Sequence, residues 1–327
     1  MNHYITLFDS NFLPQGLALY ESMTCHANPF TLWVLCMDEK AEQVLNRLGK
    51  PGVRLVPIAQ VETPQLLEIK QKRTRVEYCW TLTPFTPKIV FDRDSSVERV
   101  TYIDADMYLL RSPEPVHQEF QSKGKSVLIT EHAYDAQNDR TVTSGQYCVQ
   151  FMTFVRDKSE TVRQWWEARC LEWCSAKRDN GRYGDQKYLD DWPSRFPEDV
   201  HVLRQLNAFL GPWNAKRFHW SEGIAWHFHG LRFLKGGKVQ LHPGYSLPKE
   251  VDAAVYLPYV EVLRHSVEQV GEPVAQQPLT GVSLILPAWL KAVARRGLRV
   301  ALDLRMVHKR LCQVSSAPEE TTPGDIN

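Results

Sequence analysis

Apolar residues follow two rhythms along the first 155 positions. Short unbroken runs at 4–8, 31–37, 53–58, 99–103, 126–130 and 146–155 are what strands covered on both faces require. Between them, residues 14–23, 39–48 and 64–72 place apolar side chains at helical spacing. A further helix over 76–92 is interrupted at Pro84 and Pro87, where a missing N–H breaks the backbone ladder. This alternation predicts an α/β fold, an open sheet with helices on both faces. Ligands in such sheets bind beyond the carboxyl ends of the strands, where Asp9 and Asp104 both fall.

The pattern loosens afterwards. Residues 159–175 read as a Trp-rich amphipathic helix, and 200–203 and 223–231 as strands. Residues 271–280 have the composition of a linker. From Leu286 the apolar positions Leu290, Val293, Gly297, Val300, Leu304, Val307 and Leu311 recur at steps of four and three. That is one stripe on a helix, expected over 281–312 as a C-terminal helical extension whose other faces are basic. Residues 313–327 read as a disordered tail. The helix has three readings: docked on the main domain, paired in a coiled-coil homodimer, or lying on an anionic membrane surface.

Composition narrows the class. Thirty-nine Lys and Arg against 38 Asp and Glu leave a net charge of +1, so no global field favours nucleic acid as a partner. No window is long and apolar enough to span a bilayer, and the first residues carry no secretory signal. Seven cysteines without a CxxC pair fit a reducing cytoplasm; Cys170 and Cys174, four apart on a helix, read as buried thiols. The expected location is cytoplasmic, peripheral at the inner face of the membrane if the basic helix binds lipid.

Three groups of residues carry candidate chemistry. Asp104-Ala105-Asp106 puts two carboxylates at the end of a buried strand, which is costly unless a cation sits between them. A divalent metal holding a diphosphate would answer that need, and a solvated turn is the plain alternative. His227 and His229, two apart on a strand beside Gly230, point to one side, so either could reach a metal. Asp185-Gln186 follow Gly184 before a helix; the aspartate is either an N-cap or a carboxylate for a cationic sugar carbon. Ser144-Gly145-Gln146-Tyr147 supplies a glycine turn nearby, and Trp213-Asn214 is an aromatic platform or simply a buried pair.

Taken in order, YIDAD, SGxYxVxF, GDQxxL and HFxG resemble the retaining nucleotide-sugar transferases of glycosyltransferase family 8, the family of glycogenin and of bacterial lipopolysaccharide galactosyl- and glucosyltransferases. The resemblance covers roughly residues 3–235 and suggests a divergent bacterial branch. It implies a GT-A type, Rossmann-like nucleotide-sugar-binding sheet in a domain over 1–270, with a nucleotide-binding half (1–130) and an acceptor half (131–270). It implies Mn²⁺ or Mg²⁺ on Asp104, Asp106 and His227, with His229 as alternate ligand. Leu7, Phe8 and Asp9 would meet the uracil and ribose of a UDP-sugar. Ala105, Gly230 and Arg232 would line the diphosphate, and Asp185 and Gln186 would serve the chemistry. The implied activity is hexosyl transfer to a glycan or lipid-linked saccharide of lipopolysaccharide or capsule type, with retention.

Two departures stand out. Leu231-Arg232-Phe233 replaces the family's Lys-Pro-Trp, and residues 77–84 differ from its arginine-bearing segment. A GT-A nucleotidyltransferase and an inactive sugar-nucleotide-binding scaffold are the alternatives. The first usually carries a basic, Gly-rich loop after the first strand, whereas residues 9–15 hold no Gly, Lys or Arg.

Overall fold

The computed structural model describes residues 1–272, 274–279 and 285–286. The chain opens with β1 (Asn2–Phe8), α1 (Leu13–His26), β2 (Phe30–Cys36), α2 (Glu39–Leu48) and β3 (Val53–Pro57). The three strands pair in parallel, with Asn2 opposite Phe30 and Phe8 opposite Cys36. Successive side chains serve opposite faces. Tyr4, Phe8, Leu32 and Val34 join one buried cluster; Ile5, Leu7, Trp33 and Leu35 join the other. A strand with no solvent face has no use for polar alternation, which is why these runs are continuous.

α3 (Pro64–Lys72), α4 (Arg75–Leu82) and α5 (Thr86–Arg93) come next. Thr74 and Glu77 close a capping box at the start of α4. The expected break near Pro84 and Pro87 falls at a 3₁₀ turn, Thr83–Phe85, and Pro87 sits in the first turn of α5, where no N–H is needed. β4 (Arg99–Ile103) then pairs in parallel with β1.

β5 (Met107–Leu109), α6 (Glu114–Lys123), β6 (Val127–Glu131), α7 (Thr141–Ser144), β7 (Tyr147–Val155), α8 (Glu160–Glu172), α9 (Trp192–Arg195) and β8 (Val200–Val202) follow. β7 inserts antiparallel between β4 and β6, and β8 adds in parallel to β6. The seven-stranded order is β3-β2-β1-β4-β7-β6-β8. Strands from either side of residue 130 thus share one sheet.

The remaining elements form two small sheets and a helical cover. β9 (Phe209–Leu210) and β10 (Ala225–His227) join β5 in the order β5-β10-β9. β11 (Arg232–Leu234) and β12 (Lys238–Gln240) pair antiparallel. α10 (Lys249–Val251) runs through a π-helical turn, Asp252–Tyr256, into α11 (Leu257–Val270). α11 is tied to the first helical layer by Gln269 donating to Glu21 and Arg47 to the Val270 carbonyl. β13 (Ile285–Leu286) adds to β12.

Three expectations need revision. The strand over 223–231 is only Ala225–His227, because the chain turns at Gly230 with φ of +83°; a Cβ there would lie 3.1 Å from Pro243. The helix over 281–312 does not include Ile285–Leu286, which are extended; the rest of that segment and the tail at 313–327 lie outside the described residues. Helices α6 and α11 have no counterpart in the sequence reading. α6 buries only Val116, His117 and Phe120, too few for a periodic signal. Among the described residues no helix is long and apolar enough to cross a membrane.

Candidate metal centre and active site

The centre is assembled by two strands that are distant in sequence. As β4 ends, the Asp104 amide donates to the Gln150 carbonyl of β7 (3.1 Å), and Met107 donates back to Asp104 (3.1 Å). This tight turn holds Asp104 and Asp106 just before β5. β10 runs antiparallel to β5 with His227 opposite Met107, and the Phe228 amide donates to the Asp106 backbone carbonyl (2.9 Å). The imidazole therefore lands over the acids. Its Nε2 is 3.1 Å from Asp106 and 3.8 Å from Asp104. One ligand atom from each of the three residues lies within 4.8 Å of the others.

Neighbours fix the orientation of these groups. His227 Nδ1 lies 3.0 Å from Gln150 Oε1; an amide oxygen only accepts, so Nδ1–H donates and Nε2 faces the acids. Tyr102 donates to Asp104 (2.7 Å), and the Trp213 ring stands edge-on to His227 at 5.2 Å. Burial pushes the Asp104 carboxyl up to about 6, with His227 opposing and Asp106 adding to the rise. Burial acts the same way on Asp106, but the His227 charge and hydrogen bond bring it down to about 2. Burial would lower the His227 pKa, and Asp106 outweighs it, holding the imidazole well above its ordinary range.

Asp185 is the third acid. It is 3% exposed, and its Oδ2 has no hydrogen-bond partner. Burial, then the Asp104 charge, pushes its carboxyl up to about 7. Trp166 fixes the backbone by donating to the Asp185 carbonyl (2.8 Å). Asp104 and Asp106 thus share one imidazole, and Asp185 lies within the field of Asp104, a surplus of acids in and around the site that a cation would offset. Two carboxylates and an imidazole suit a hard divalent ion of the Mn²⁺ or Mg²⁺ type.

The Bacillus subtilis (strain 168) uncharacterized protein YfnF is 31% identical to this chain over 259 residues, covering 73% of this chain and 85% of YfnF. The chain belongs to the YfnF family. The uncharacterized protein YfnD of the same organism is 26% identical over 287 residues, covering 82% of this chain and 90% of YfnD. No protein-family model matches. Among solved structures, the galactosyltransferase LgtC in complex with donor and acceptor sugar analogs aligns with a TM-score of 0.50 at 12% identity, over 80% of this chain and 95% of LgtC. That likeness is one of fold, and the fold is GT-A.

In this member of the YfnF family, the remaining sequence candidates have definite places. Gln186 opens a 3₁₀ segment, Gln186–Asp191, and its amide donates to the Ser144 carbonyl at the end of α7 (2.7 Å). Asp190 accepts from the Gln146 amide (2.8 Å), across a turn where Gly145 has φ of +107°. The two short motifs noted in sequence therefore clasp each other beside Asp185. His229 is exposed, its ring 5.8 Å from that of His227, and is outside the ligand group. The Arg232 guanidinium lies 5.1 Å over Phe12 and within the field of Asp106. Ala105 is buried between the two acids.

At the end of β1, Leu7 and Phe8 pack into the two cores, and Phe8 fills the space beside Gly16. Asp9 accepts from the Asn11 amide (2.8 Å) and pairs with Arg75, which also pairs with Asp38. Trp213 is a packing residue: it is 3% exposed and donates to the His132 carbonyl (2.9 Å). Cys170 and Cys174 are buried thiols, outside the ligand group. Gln150 and Tyr102 escaped the sequence reading. The available signal for Gln150 was an amide inside the apolar run of β7, fully buried in the fold.

Proposed function

We propose that this chain is a metal-dependent glycosyltransferase, of the family 8 type, that moves a hexose from a UDP-sugar to a glycan or lipid-linked saccharide with retention of configuration. The observation that carries the reading is the grouping of Asp104, Asp106 and His227 at the carboxyl edge of a GT-A sheet. The donor and acceptor sugar analogs bound by LgtC, which shares the fold, lend it support. Asp104, Asp106 and His227 would hold the ion. When bound, it supplies positive charge against the diphosphate leaving group.

The chain's own side chains would do the rest. Gln150 and Tyr102 keep the ligand atoms aimed, as outer-shell partners do. Arg232, steadied over Phe12, has a guanidinium fork to offer a phosphate. Leu7, Phe8 and Asp9 end the strand against which the nucleoside would lie, and Asp9 is held in place by Arg75. Asp185 meets the sugar: its unpartnered Oδ2 is a buried acceptor suited to the positive charge that develops at the anomeric carbon. Gln186 anchors the loop that carries Asp185.

The test is UDP release from a panel of UDP-sugars with Mn²⁺, repeated with EDTA and with Asp106→Ala. Metal-dependent turnover of one donor, lost in the variant, is the expected result. Turnover that persists in EDTA and in the variant would sink the metal-centred reading. Retention is checked by NMR of the product's anomeric configuration, and inversion would contradict it.

A further inference from the structure

We infer that the acceptor side of this centre takes a saccharide carrying an anionic group, a uronate carboxylate or a phosphate, and that Arg140 reads the charge. The inference rests on the transferase reading above. Arg140 immediately precedes α7, and its carbonyl accepts from the Thr143 and Ser144 amides (3.0 and 2.7 Å). The other end of α7 is gripped by Gln186, next to Asp185. One short helix thus fixes Arg140 relative to the candidate catalytic carboxylate.

The Arg140 guanidinium lies over the Tyr245 ring, 4.6 Å from its centroid. Tyr245 stands edge-on to His229 at 6.3 Å, and His229 edge-on to His227 at 5.8 Å. Arg140 is therefore two rings removed from His227, and we take this as the place for a group of the acceptor rather than of the donor. Stacking fixes the guanidinium plane and leaves its N–H edge free to fork onto a carboxylate or phosphate.

Arg140 is a half-buried guanidinium, stacked on a ring, with no counter-charge among the described residues. Arg163, buried, bridges Glu160 and Glu167, and Arg156 donates to three backbone carbonyls. Arg140 makes no ion pair and no side-chain hydrogen bond among the described residues. The adjacent acid is turned to its own loop: one Asp139 oxygen accepts from the Thr141 amide and hydroxyl at 2.8 and 2.6 Å, and it forms no ion pair with Arg140. A half-buried cation preorganised on a ring and without an acceptor fits a ligand that brings one.

The test measures binding of methyl glucuronide, glucose 6-phosphate and neutral methyl glucoside to the full chain with UDP and Mn²⁺, by ligand-observed NMR. At least one anionic probe should bind about tenfold more tightly than the glucoside, the margin of one charge-assisted contact. Which one it is separates the carboxylate from the phosphate source. Arg140→Gln should bring that probe down to the affinity of the glucoside, and Arg140→Lys, with the charge but not the fork, should restore part of the margin. Equal binding of charged and neutral probes by the unaltered protein overturns the inference. So does a loss of UDP affinity in Arg140→Gln as large as the loss for the anionic probe, which would assign Arg140 to the donor. Charge-selective binding without turnover of any donor would sink the transferase reading and keep the anionic subsite; turnover with charge-blind binding would do the reverse.

Discussion

Two groups of carboxylates stand on the same edge of the large sheet, one beyond β1 and β2 and the other beyond β4, and their charge is handled in opposite ways. Asp9 and Asp38 share Arg75, and Asp38 also accepts from Ser10 and from the Ala41 amide. Burial would raise the Asp38 pKa, but these hydrogen bonds and Arg75 leave it below the usual range. Asp104 and Asp106 share a single imidazole, with Asp185 in the field of Asp104, and two of the three acids are pushed up. The contrast shows that acids at strand ends do not by themselves mark a metal site. A deficit of counter-charge is what sets the second group apart.

The largest effect should come from the deficient group. Asp106→Ala removes a ligand and should lower turnover by about 10³-fold, several kcal/mol of transition-state charge stabilisation. UDP release measures it, and a loss under tenfold would place the metal elsewhere. Asp185→Asn keeps the shape but not the charge, and should cost about 10²-fold in kcat with metal affinity retained. A variant that loses Mn²⁺ instead would make Asp185 a ligand. Gln150→Leu frees the His227 ring and should weaken Mn²⁺ binding about 10–100-fold by titration. An unchanged affinity would make the His227–Gln150 contact incidental.

A pH experiment sharpens the same contrast. Asp104 and Asp185 titrate at about 6 and about 7 in the fold, against about 4 in an unfolded chain. Between those values the native state binds more protons than the unfolded one. Stability contributed by these acids is therefore present below pH ~4 and lost as pH rises through ~7. Mn²⁺ displaces those protons, so it should raise Tm more at pH 8 than at pH 5. An increment independent of pH would separate these acids from the metal. The smallest effect belongs to the balanced group. Arg75 is half-exposed, so Arg75→Gln should cost only about 0.5–1 kcal/mol in denaturant unfolding. A second Mn²⁺ bound by that variant would erase the contrast between the two groups.

Legibility in the sequence followed burial. β1, β2, β4 and β7 were readable because strands packed on both faces must be apolar throughout, as Tyr4 and Ile5 show by serving different cores. Asp104, Asp106 and His227 were readable because polar residues interrupt apolar runs there. The choice of His227 over His229 came from the family resemblance and not from the local pattern. It depends on β10 pairing with β5, an encounter between strands of three residues each that leave no periodic trace. Arg75 was hidden for a different reason: an arginine at a helix start looks solvated until the fold brings Asp9 and Asp38 to it.

The pairing of β5 with β10 also has a consequence in time. Asp106 leaves the ribosome about 120 residues before His227, an interval of roughly 6–24 s at ordinary rates of synthesis. Throughout it the nascent chain displays both aspartates without the imidazole. Any ion held by all three therefore arrives late, after the strands of the large sheet have been made, and its capture would report a finished sheet rather than guide an unfinished one.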